Sequence, residues 1–480
     1  MDERLARFAV DRARALGAQY AEARIQRDLE SEAILRNGNP EPAVIGDALG
    51  IGIRVLVNGS LAFSATNMLT EESVRSLVEG AIKRAKSAAK FTKQKIGFSN
   101  EKSHQAKWSA PEKKNIENVG IEDLARVLKE LDNSIKNGKN GVEFPNRLFF
   151  LRTMLVERIY VNSDGANLRG RVPRLQFHSY ISAKHSGKTS TVTIPAGYAQ
   201  LGESGGWEVL DRFNLFEYVP KTAEELADVV KAEKKPPTET VDVILGPEVS
   251  GLVSHESCGH PGEADRILGR EGAQAGESYL KSNDIGYKIG SEQAFVSDDP
   301  TLPNSMGFYL YDEEGVPARK RALISKGIIS SFLHNRESAH DLNTSSNASA
   351  RSVRYDREPI VRMANTYIEP GDYTFEGMVK DVKLGVYIKS FMEWNIDDKR
   401  LNQRYVGLES YLIEKGEVKH HVKDPILEIT TPKLYGSLDA RGNDLKFMGA
   451  TCGKGDPMQG IPVWTGGPHV RLRNIRVAAR

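Results

Sequence analysis

Two adjacent prolines that follow two lysines, at positions 234–237, divide this chain close to its middle. Proline fixes its own φ, lacks a backbone N–H donor and restricts the residue before it, so helices and central strands rarely continue through such a pair. A chain of 480 residues also exceeds what one hydrophobic core usually organises. We therefore predict one domain at residues 1–236 and a second domain at residues 237–480.

The first half alternates between helical and strand-like patterns. Helical spacing of apolar residues predicts helices at 1–18, 70–90, 121–135 and 223–233, and Thr70 is a typical N-cap for the second of them. Alternating or β-branched runs predict strands at 21–35, 51–56, 61–66, 147–160, 174–182 and 189–199, with a tight turn at Asn58-Gly59. The basic stretch from Lys83 to Lys114 is interpreted as a helix end followed by a solvated loop.

The second half is mostly β-like after one helix. A strand pattern at 241–245 leads into a helix at about 248–260, and further strands are predicted at 322–324, 360–368, 385–388, 410–413 and 418–422. The predicted fold class is therefore α+β, in which a mixed α/β N-terminal domain is followed by a β-rich C-terminal domain that carries the helix at 248–260.

Composition excludes several classes of protein. Hydrophobic residues make up 39% of the chain, and no apolar run approaches the length of about 18 residues that a membrane-spanning helix needs. The 66 basic and 64 acidic residues leave a net charge of +2, well short of the basic footprint of a nucleic-acid-binding protein. The first ten residues contain no apolar signal-peptide core, so we expect a cytoplasmic protein without a membrane or nucleic-acid partner.

The residues that suggest chemistry lie at the end of the predicted helix, where His255, Glu256 and His260 form the pattern H-E-x-x-x-H. The familiar zinc peptidase motif spaces its histidines four residues apart, because a helix with about 3.6 residues per turn returns them to one face. A spacing of five leaves the second histidine roughly 140° away on a regular helix, which prevents shared coordination. Gly259 and Pro261 flank His260, so a π-type turn or a frayed last turn is expected to bring the imidazoles together.

A peptidase zinc site also needs a third protein ligand and a carboxylate that takes a proton from water, and Glu256 fits the carboxylate role. The candidates for the third ligand are Glu263, Asp265, Cys258 and Cys452. Two cysteines are too few for a disulfide framework, which leaves both to be explained. Cys452 is preferred, because Cys258 competes for space with both histidines, whereas Cys452 lies in a glycine-flanked loop beside Lys454, whose charge favours the thiolate.

Beyond these residues, the order of several segments resembles the TldD/PmbA family. The resemblance is strongest after residue 240, and it rests on HESCGHPGEADR at 255–266, YDEEGVPARKRALISKGIISSFLHNRESA at 311–339, PIVRMANTYIEPGD at 359–372, YLIEKGEV at 411–418 and GNDLKFMGATCGKGDPMQGIPVWTGGP at 442–468. In that family, TldD-type chains carry H-E-x-x-x-H and a late cysteine before Gly-Lys, whereas PmbA-type (TldE) chains lack the metal motif. This chain resembles the TldD type.

The resemblance implies a zinc metallopeptidase that holds one Zn2+ ion per chain with His255, His260 and Cys452 and uses Glu256 as its catalytic carboxylate. It also implies unfolded or short peptides as substrates, and a closed assembly with a PmbA/TldE-like chain or with a second copy of itself. The glycine-rich stretch at 449–467 is either a sheet edge that pairs with extended peptides or a set of ordinary turns.

Two other classes of function stay open from the sequence. The first is a non-catalytic peptide-binding or regulatory subunit of a TldD/PmbA-type complex, a reading that the intact H-E-x-x-x-H motif argues against. The second is a metal-dependent enzyme that uses the same ligands on small molecules. Metal analysis together with a peptide-cleavage assay distinguishes these classes.

Overall fold

A large, mainly antiparallel sheet dominates the first half of the protein, whose computed structural model describes residues 1–138, 141–194, 200–272 and 276–480. Its strands are β1 Tyr20–Arg36, β2 Asn39–Pro40, β3 Val44–Val57, β4 Ser60–Thr66, β5 Gln105–Ser109, β6 Glu143–Asn162, β7 Asn167–His185, β8 Lys188–Ile194 and β9 Leu201–Ser204. They pair in the order β4-β3-β1-β6-β7-β5, with β2 beside β1 and with β8 and β9 beside β7.

Two pairs of helices pack on this sheet. The helices of the first half are α1 Glu3–Ala15, α2 Glu71–Ala88, α3 Ile121–Ile135, α4 Val209–Phe213 and α5 Leu215–Lys231, with a 3-10 turn at Ile116–Asn118. Helices α1 and α2 bury apolar side chains against β1 and β3 around Ile25 and Ile53. Helices α3 and α5 do the same against β6 and β7 around Phe149 and Phe177. Each pair therefore closes a hydrophobic core of its own on the sheet.

The N-cap and the tight turn predicted in this half are both present in the structure. The hydroxyl of Thr70 accepts a backbone hydrogen bond from the first turn of α2, which confirms the predicted N-cap. Asn58 and Gly59 join β3 to β4 with φ of 50° and 75°, the left-handed conformation that this kind of tight hairpin turn requires. The predicted turn is confirmed.

Short strands are the main regular structure of the second half. They are β10 Thr240–Leu245, β11 Val296–Asp298, β12 Arg321–Ser325, β13 Ile328–Ile329, β14 Ala350–Arg351, β15 Ile360–Val361, β16 Asn365–Ile368, β17 Leu384–Ile388, β18 Phe391–Ile396, β19 Asn402–Gly407, β20 Ser410–Glu414, β21 Glu417–His421, β22 Pro425–Thr430, β23 Leu438–Arg441, β24 Lys446–Lys454, β25 Gln459–Gly467 and β26 Val470–Ala479. The helices here are α6 Pro247–Ser254, α7 Ala264–Ile267, α8 Arg336–Asp341, α9 Phe375–Lys380 and α10 Thr431–Ser437.

Two larger sheets organise these strands. One runs in the order β18-β19-β22-β26-β10-β17-β20-β21, with β23 beside β26, and the other in the order β13-β12-β11-β16-β25-β24. Helix α6 begins with Pro247 at its first position and packs on β16, β24 and β25, so the second sheet supports the helix that leads to the histidines. The predicted α+β fold class is confirmed. None of the helices in the described ranges is long and apolar enough to cross a membrane.

Three stretches differ from the sequence prediction. The lysine-rich stretch is not wholly a solvated loop, because β5 pairs in parallel with β7 and Trp108 packs edge-on against Phe308. Residues 360–368 form two strands in different sheets, and between them the buried Arg362 turns inward to donate to backbone carbonyls. The helix predicted at 223–233 begins earlier, at Leu215. Of the strand predicted at 189–199, residues 195–199 lie outside the described residues.

Close packing of α6 on β25 gives a first prediction. A Cβ atom added at Gly251 would lie 3.0 Å from the Gly466 backbone nitrogen, inside a sheet that has little room to shift. We expect Gly251→Ala to lower the free energy of unfolding by about 1–3 kcal/mol, as overpacking does.

Chemical denaturation of the purified variant measures this loss of stability. Gly436→Ala in α10 is the matched control, because a Cβ there meets nothing within 4 Å and alanine favours a helix over glycine. Equal stability changes in both variants would contradict the close-packing argument.

Candidate metal centre

The helix that carries the histidines changes its winding at the motif. Helix α6 ends at Ser254, and residues His255–Gly259 form a π-helical turn. A hydrogen bond of 3.0 Å from the His260 amide to the His255 carbonyl closes this turn over five residues. The wider turn rotates the second imidazole back toward the first, and the two ring centroids are 4.8 Å apart. The π-type turn that Gly259 and Pro261 predict is confirmed.

Three candidate ligands meet at this turn. Ligand-type atoms of His255, His260 and Cys452 all lie within 4.8 Å of one another, and none of these residues is more than 6% exposed. Burial lowers the pKa of His255, which favours the neutral imidazole that binds a metal. Its Nδ1 atom is buried without a hydrogen-bond partner, a deficit that a metal ion would relieve. Two imidazoles and a thiol are a donor set that fits Zn2+.

A buried carboxylate fixes the second histidine. Glu263 Oε2 lies 3.0 Å from His260 Nδ1, so this nitrogen donates to the carboxylate and Nε2 is left to face Cys452 Sγ, 3.3 Å away. Burial raises the pKa of Glu263, but the charges of Lys454 and Arg266 outweigh it and hold that pKa well below its ordinary range. Glu263 is therefore ionised, and it orients the imidazole as carboxylates beside zinc-binding histidines do.

Cys452 lies in a strand, which corrects the prediction of a loop. It faces inward from β24, paired with Ile461 in β25, and the alternation of a strand leaves its neighbour Thr451 exposed. Burial raises the pKa of the thiol, but the positive charges of His260 and Arg362 outweigh it, so the pKa falls to about 7. These two residues supply the largest of the charges that favour the thiolate.

Glu256 contacts Arg400, a cation that no local sequence pattern indicates. Its Oε2 accepts a hydrogen bond from Arg400, and both side chains are buried. Burial raises the pKa of Glu256, but opposing charges, of which that of Arg400 is the largest, outweigh it and hold that pKa below its ordinary value. The carboxylate beside His255 is therefore ionised and held in one orientation.

Three domain models of one protein family match most of the chain. Family models described as PmbA/TldA metallopeptidase domain 1, central domain and C-terminal domain match residues 21–85, 108–232 and 238–479. The chain belongs to the TldD/PmbA family. The predicted family resemblance is confirmed.

Relatives that match nearly the whole of this TldD/PmbA chain are named as proteases. A protein of Methanothermobacter thermautotrophicus named metalloprotease is 31% identical over 96% of this chain and 95% of its own length. A Saccharolobus solfataricus protein named zinc metalloprotease TldD homolog is 24% identical over 98% of both chains. TldE from Thermococcus kodakarensis has a similar fold, with a TM-score of 0.76 and 17% identity over 99% of both chains.

Of the other candidate ligands in this chain, Glu263 contacts His260 Nδ1, and Cys258 and Asp265 are not part of the cluster. Cys258 is part of the hydrophobic core, where burial raises the pKa of its thiol. Asp265 Oδ1 accepts a hydrogen bond of 2.6 Å from Lys454 Nζ. Among the described residues, only the cluster with Cys452 offers three ligand atoms that meet.

Sequence reasoning missed Arg362 and Arg400, two cations of the centre. Arg400 lies 144 residues after Glu256, between β18 and β19, with a left-handed φ of 59°. No local pattern marks either arginine, because their partners are far along the chain. The role of Glu263 had a signal, since it follows His260 by three residues, a spacing that favours contact within one turn.

Proposed function

We propose that this chain is a zinc-dependent peptidase that hydrolyses unfolded or short peptides. The observation that carries the proposal is the buried cluster of His255, His260 and Cys452 with the ionised Glu256 beside it. The names of the relatives, metalloprotease and zinc metalloprotease, support it. In this proposal the two imidazoles and the thiolate hold one Zn2+ ion, and Glu256 is the catalytic carboxylate.

In this proposal each residue around the ligand cluster has its own role in hydrolysis. A zinc ion in this site would lower the pKa of water and polarise the scissile carbonyl. Glu256 takes a proton from the attacking water and later returns it to the leaving amine. Arg400 keeps that carboxylate ionised and oriented, and Glu263 holds His260 with its Nε2 toward the ligand cluster. Burial of the side chains excludes water that competes for these contacts.

The edge of β24 supports an extended peptide as substrate. This strand is the last of its sheet, and Thr451 and Gly453 are exposed on either side of the buried Cys452. A peptide that pairs with such an edge binds through its backbone, which gives weak sequence preference. A folded protein has few extended segments free to pair in this way, so we propose that folded proteins are poor substrates.

We further propose a division of labour between the two halves and a closed assembly. Residues 237–480 form the peptidase domain, and residues 1–236 contribute to assembly and to enclosure of the substrate. The partner is a PmbA/TldE-like chain or a second copy of this chain, in the cytoplasm. The shared fold with TldE supports the pairing, because related chains of the same fold offer matching surfaces.

Comparison of folded and unfolded substrates tests this function. The chain, alone and mixed with a PmbA/TldE-like protein, is incubated with one small protein in its native form and in a reduced, alkylated form. We expect the unfolded form to be cleaved at least about tenfold faster, because only that form offers extended segments to a buried site. Mass spectrometry of the fragments measures the rates, and light scattering measures the size of the active species.

Metal dependence is the control for contaminating proteases. Activity should disappear after treatment with a chelator and return when zinc is added back. Equal cleavage of both forms by a monomer would contradict the proposed enclosure, and activity that persists without metal would contradict the proposed chemistry.

A further inference from the structure

A cavity of about 400 Å³ lies between the first sheet and the β24–β25 hairpin. Thr451 and Pro462 of the hairpin line it, opposite Met154 and Arg174 of β6 and β7. Thr451 directly precedes Cys452, and successive strand residues point to opposite faces. The cavity therefore lies on the other face of the strand that carries the candidate metal ligand.

Arg174 is a buried cation of this cavity, and none of the described residues forms an ion pair with it. The residue is 4% exposed, and its Nε atom donates a hydrogen bond of 2.7 Å to the Met306 carbonyl. Among the described residues, no carboxylate oxygen lies within 4.0 Å of its guanidinium nitrogens. Burial, together with the charges of Arg351 and Arg158, lowers the pKa of Arg174 to about 9, and the charge of Asp28 only partly opposes them. The side chain therefore stays charged at neutral pH.

The other arginines that line this cavity are already paired. Arg152 forms an ion pair with Glu30, and Arg354 and Arg357 contact Asp356 at 2.9 and 3.0 Å. Arg174 is the exception. Arg174 lines the cavity, and among the described residues its only hydrogen bond is the one from Nε to the Met306 carbonyl. A buried cation that faces open space is costly unless an anion reaches it.

The free edge of β24 connects this cavity to the proposed substrate path. Gln200 donates from its amide to the Gly449 carbonyl, and among the described residues nothing pairs with 451–454 on the side away from β25. A peptide paired with that segment points alternate side chains to the two faces of the sheet. One set faces Cys452, and the other set faces the cavity with Arg174.

We propose that this cavity is a carboxylate-binding subsite for the peptide, and that Arg174 binds the carboxylate. The carboxylate belongs to an Asp or Glu side chain or to the C-terminus of the substrate. The planar guanidinium matches a carboxylate through two parallel hydrogen bonds, which a lysine does not reproduce. This inference rests on the proposed function. It adds one substrate position that selects for negative charge to a peptidase whose sequence preference is otherwise weak.

A matched set of peptides tests the subsite. One parent sequence carries Glu or Gln at each position in turn, and each peptide is made with a free acid and with an amide C-terminus. We expect wild type to hydrolyse one Glu peptide, or the free-acid form, with kcat/KM at least about tenfold above its neutral counterpart. The position scan identifies a side-chain carboxylate, and the acid–amide pair identifies a terminal carboxylate.

Two variants of Arg174 and one control complete the test. Arg174→Met should remove the charge preference by raising KM for the acidic peptide toward the value for its neutral counterpart, with the zinc content unchanged. Arg174→Lys should keep only part of the preference. Arg354→Met is the matched control, because that arginine lines the same cavity, is 45% exposed and is already paired with Asp356.

The outcomes separate this inference from the proposed function. An equal preference in wild type and Arg174→Met overturns the subsite, even if both proteins are active peptidases. A loss of assembly in Arg174→Met with unchanged charge preference also overturns it, and assigns Arg174 to a subunit contact. If wild type cleaves no peptide, fluorescence anisotropy with labelled acidic and neutral peptides still tests the subsite, and equal affinities overturn it.

Discussion

Replacing Glu256 with glutamine is expected to lower kcat for peptide hydrolysis by about 10²–10⁴-fold while the zinc content of the purified protein stays at the wild-type level. The amide keeps the shape of the side chain but cannot accept a proton from water. The metal is expected to stay, because Glu256 is not part of the ligand cluster. Single-turnover kinetics and elemental analysis measure the two quantities.

The matched control for this variant is Glu248→Gln. Glu248 belongs to α6, the helix that leads to the π-helical turn with Glu256, and it lies near the start of that helix and outside the ligand cluster. We expect this variant to keep wild-type kcat. In Glu256→Gln, Arg400 loses a charged partner, so a loss of about 1–3 kcal/mol in the free energy of unfolding is also expected. Retained hydrolysis in a folded, zinc-loaded Glu256→Gln protein would rule out the general-base role.

Removing any one of the three proposed ligands should abolish both zinc binding and activity. We expect His255→Ala, His260→Ala and Cys452→Ala to lose stoichiometric zinc on dialysis, because two remaining ligands hold zinc far more weakly than three. Elemental analysis of the dialysed variants measures the loss. Circular dichroism shows whether each variant is folded when it is analysed.

Cys258→Ala is the control that distinguishes the two cysteines. Cys258 lies within the hydrophobic core, so its removal should cost about 1 kcal/mol of stability and leave zinc and activity in place. Loss of zinc from Cys258→Ala together with its retention in Cys452→Ala would show that the wrong cysteine has been chosen as the third ligand.

Some features of the fold and the site follow from short-range chemistry, which the sequence displays directly. Thr70 starts a helix because its hydroxyl satisfies a free amide, and Asn58-Gly59 turns a hairpin because both residues tolerate a positive φ. The histidine spacing predicts in the same way a π-type turn or a frayed last turn, and the structure has the π-type turn. A Cβ at Gly259 would lie 2.0 Å from Met363 Sδ, which explains the glycine within that turn.

Other features depend on contacts between distant segments, which no local pattern displays. Cys452 has glycines on both sides, and these indicated a loop, but pairing with β25 makes the segment a strand. Arg400 contacts Glu256 only in the folded chain. A charge near Cys452 comes from Arg362, which lies between β15 and β16. Tertiary pairing therefore overrides local propensity at the places where the site is assembled.

The distance along the chain between the histidines and the cysteine has a consequence for biosynthesis. Cys452 follows His260 by 192 residues, so a growing chain on the ribosome presents both imidazoles long before the thiol has been translated. Closing the long segment between His260 and Cys452 also costs conformational entropy. This cost is offset only when the β24–β25 hairpin is complete and packs on α6. A nascent chain therefore lacks the complete candidate cluster, and under the proposed function the order of translation would delay hydrolysis until the segment with Cys452 has been made and has folded.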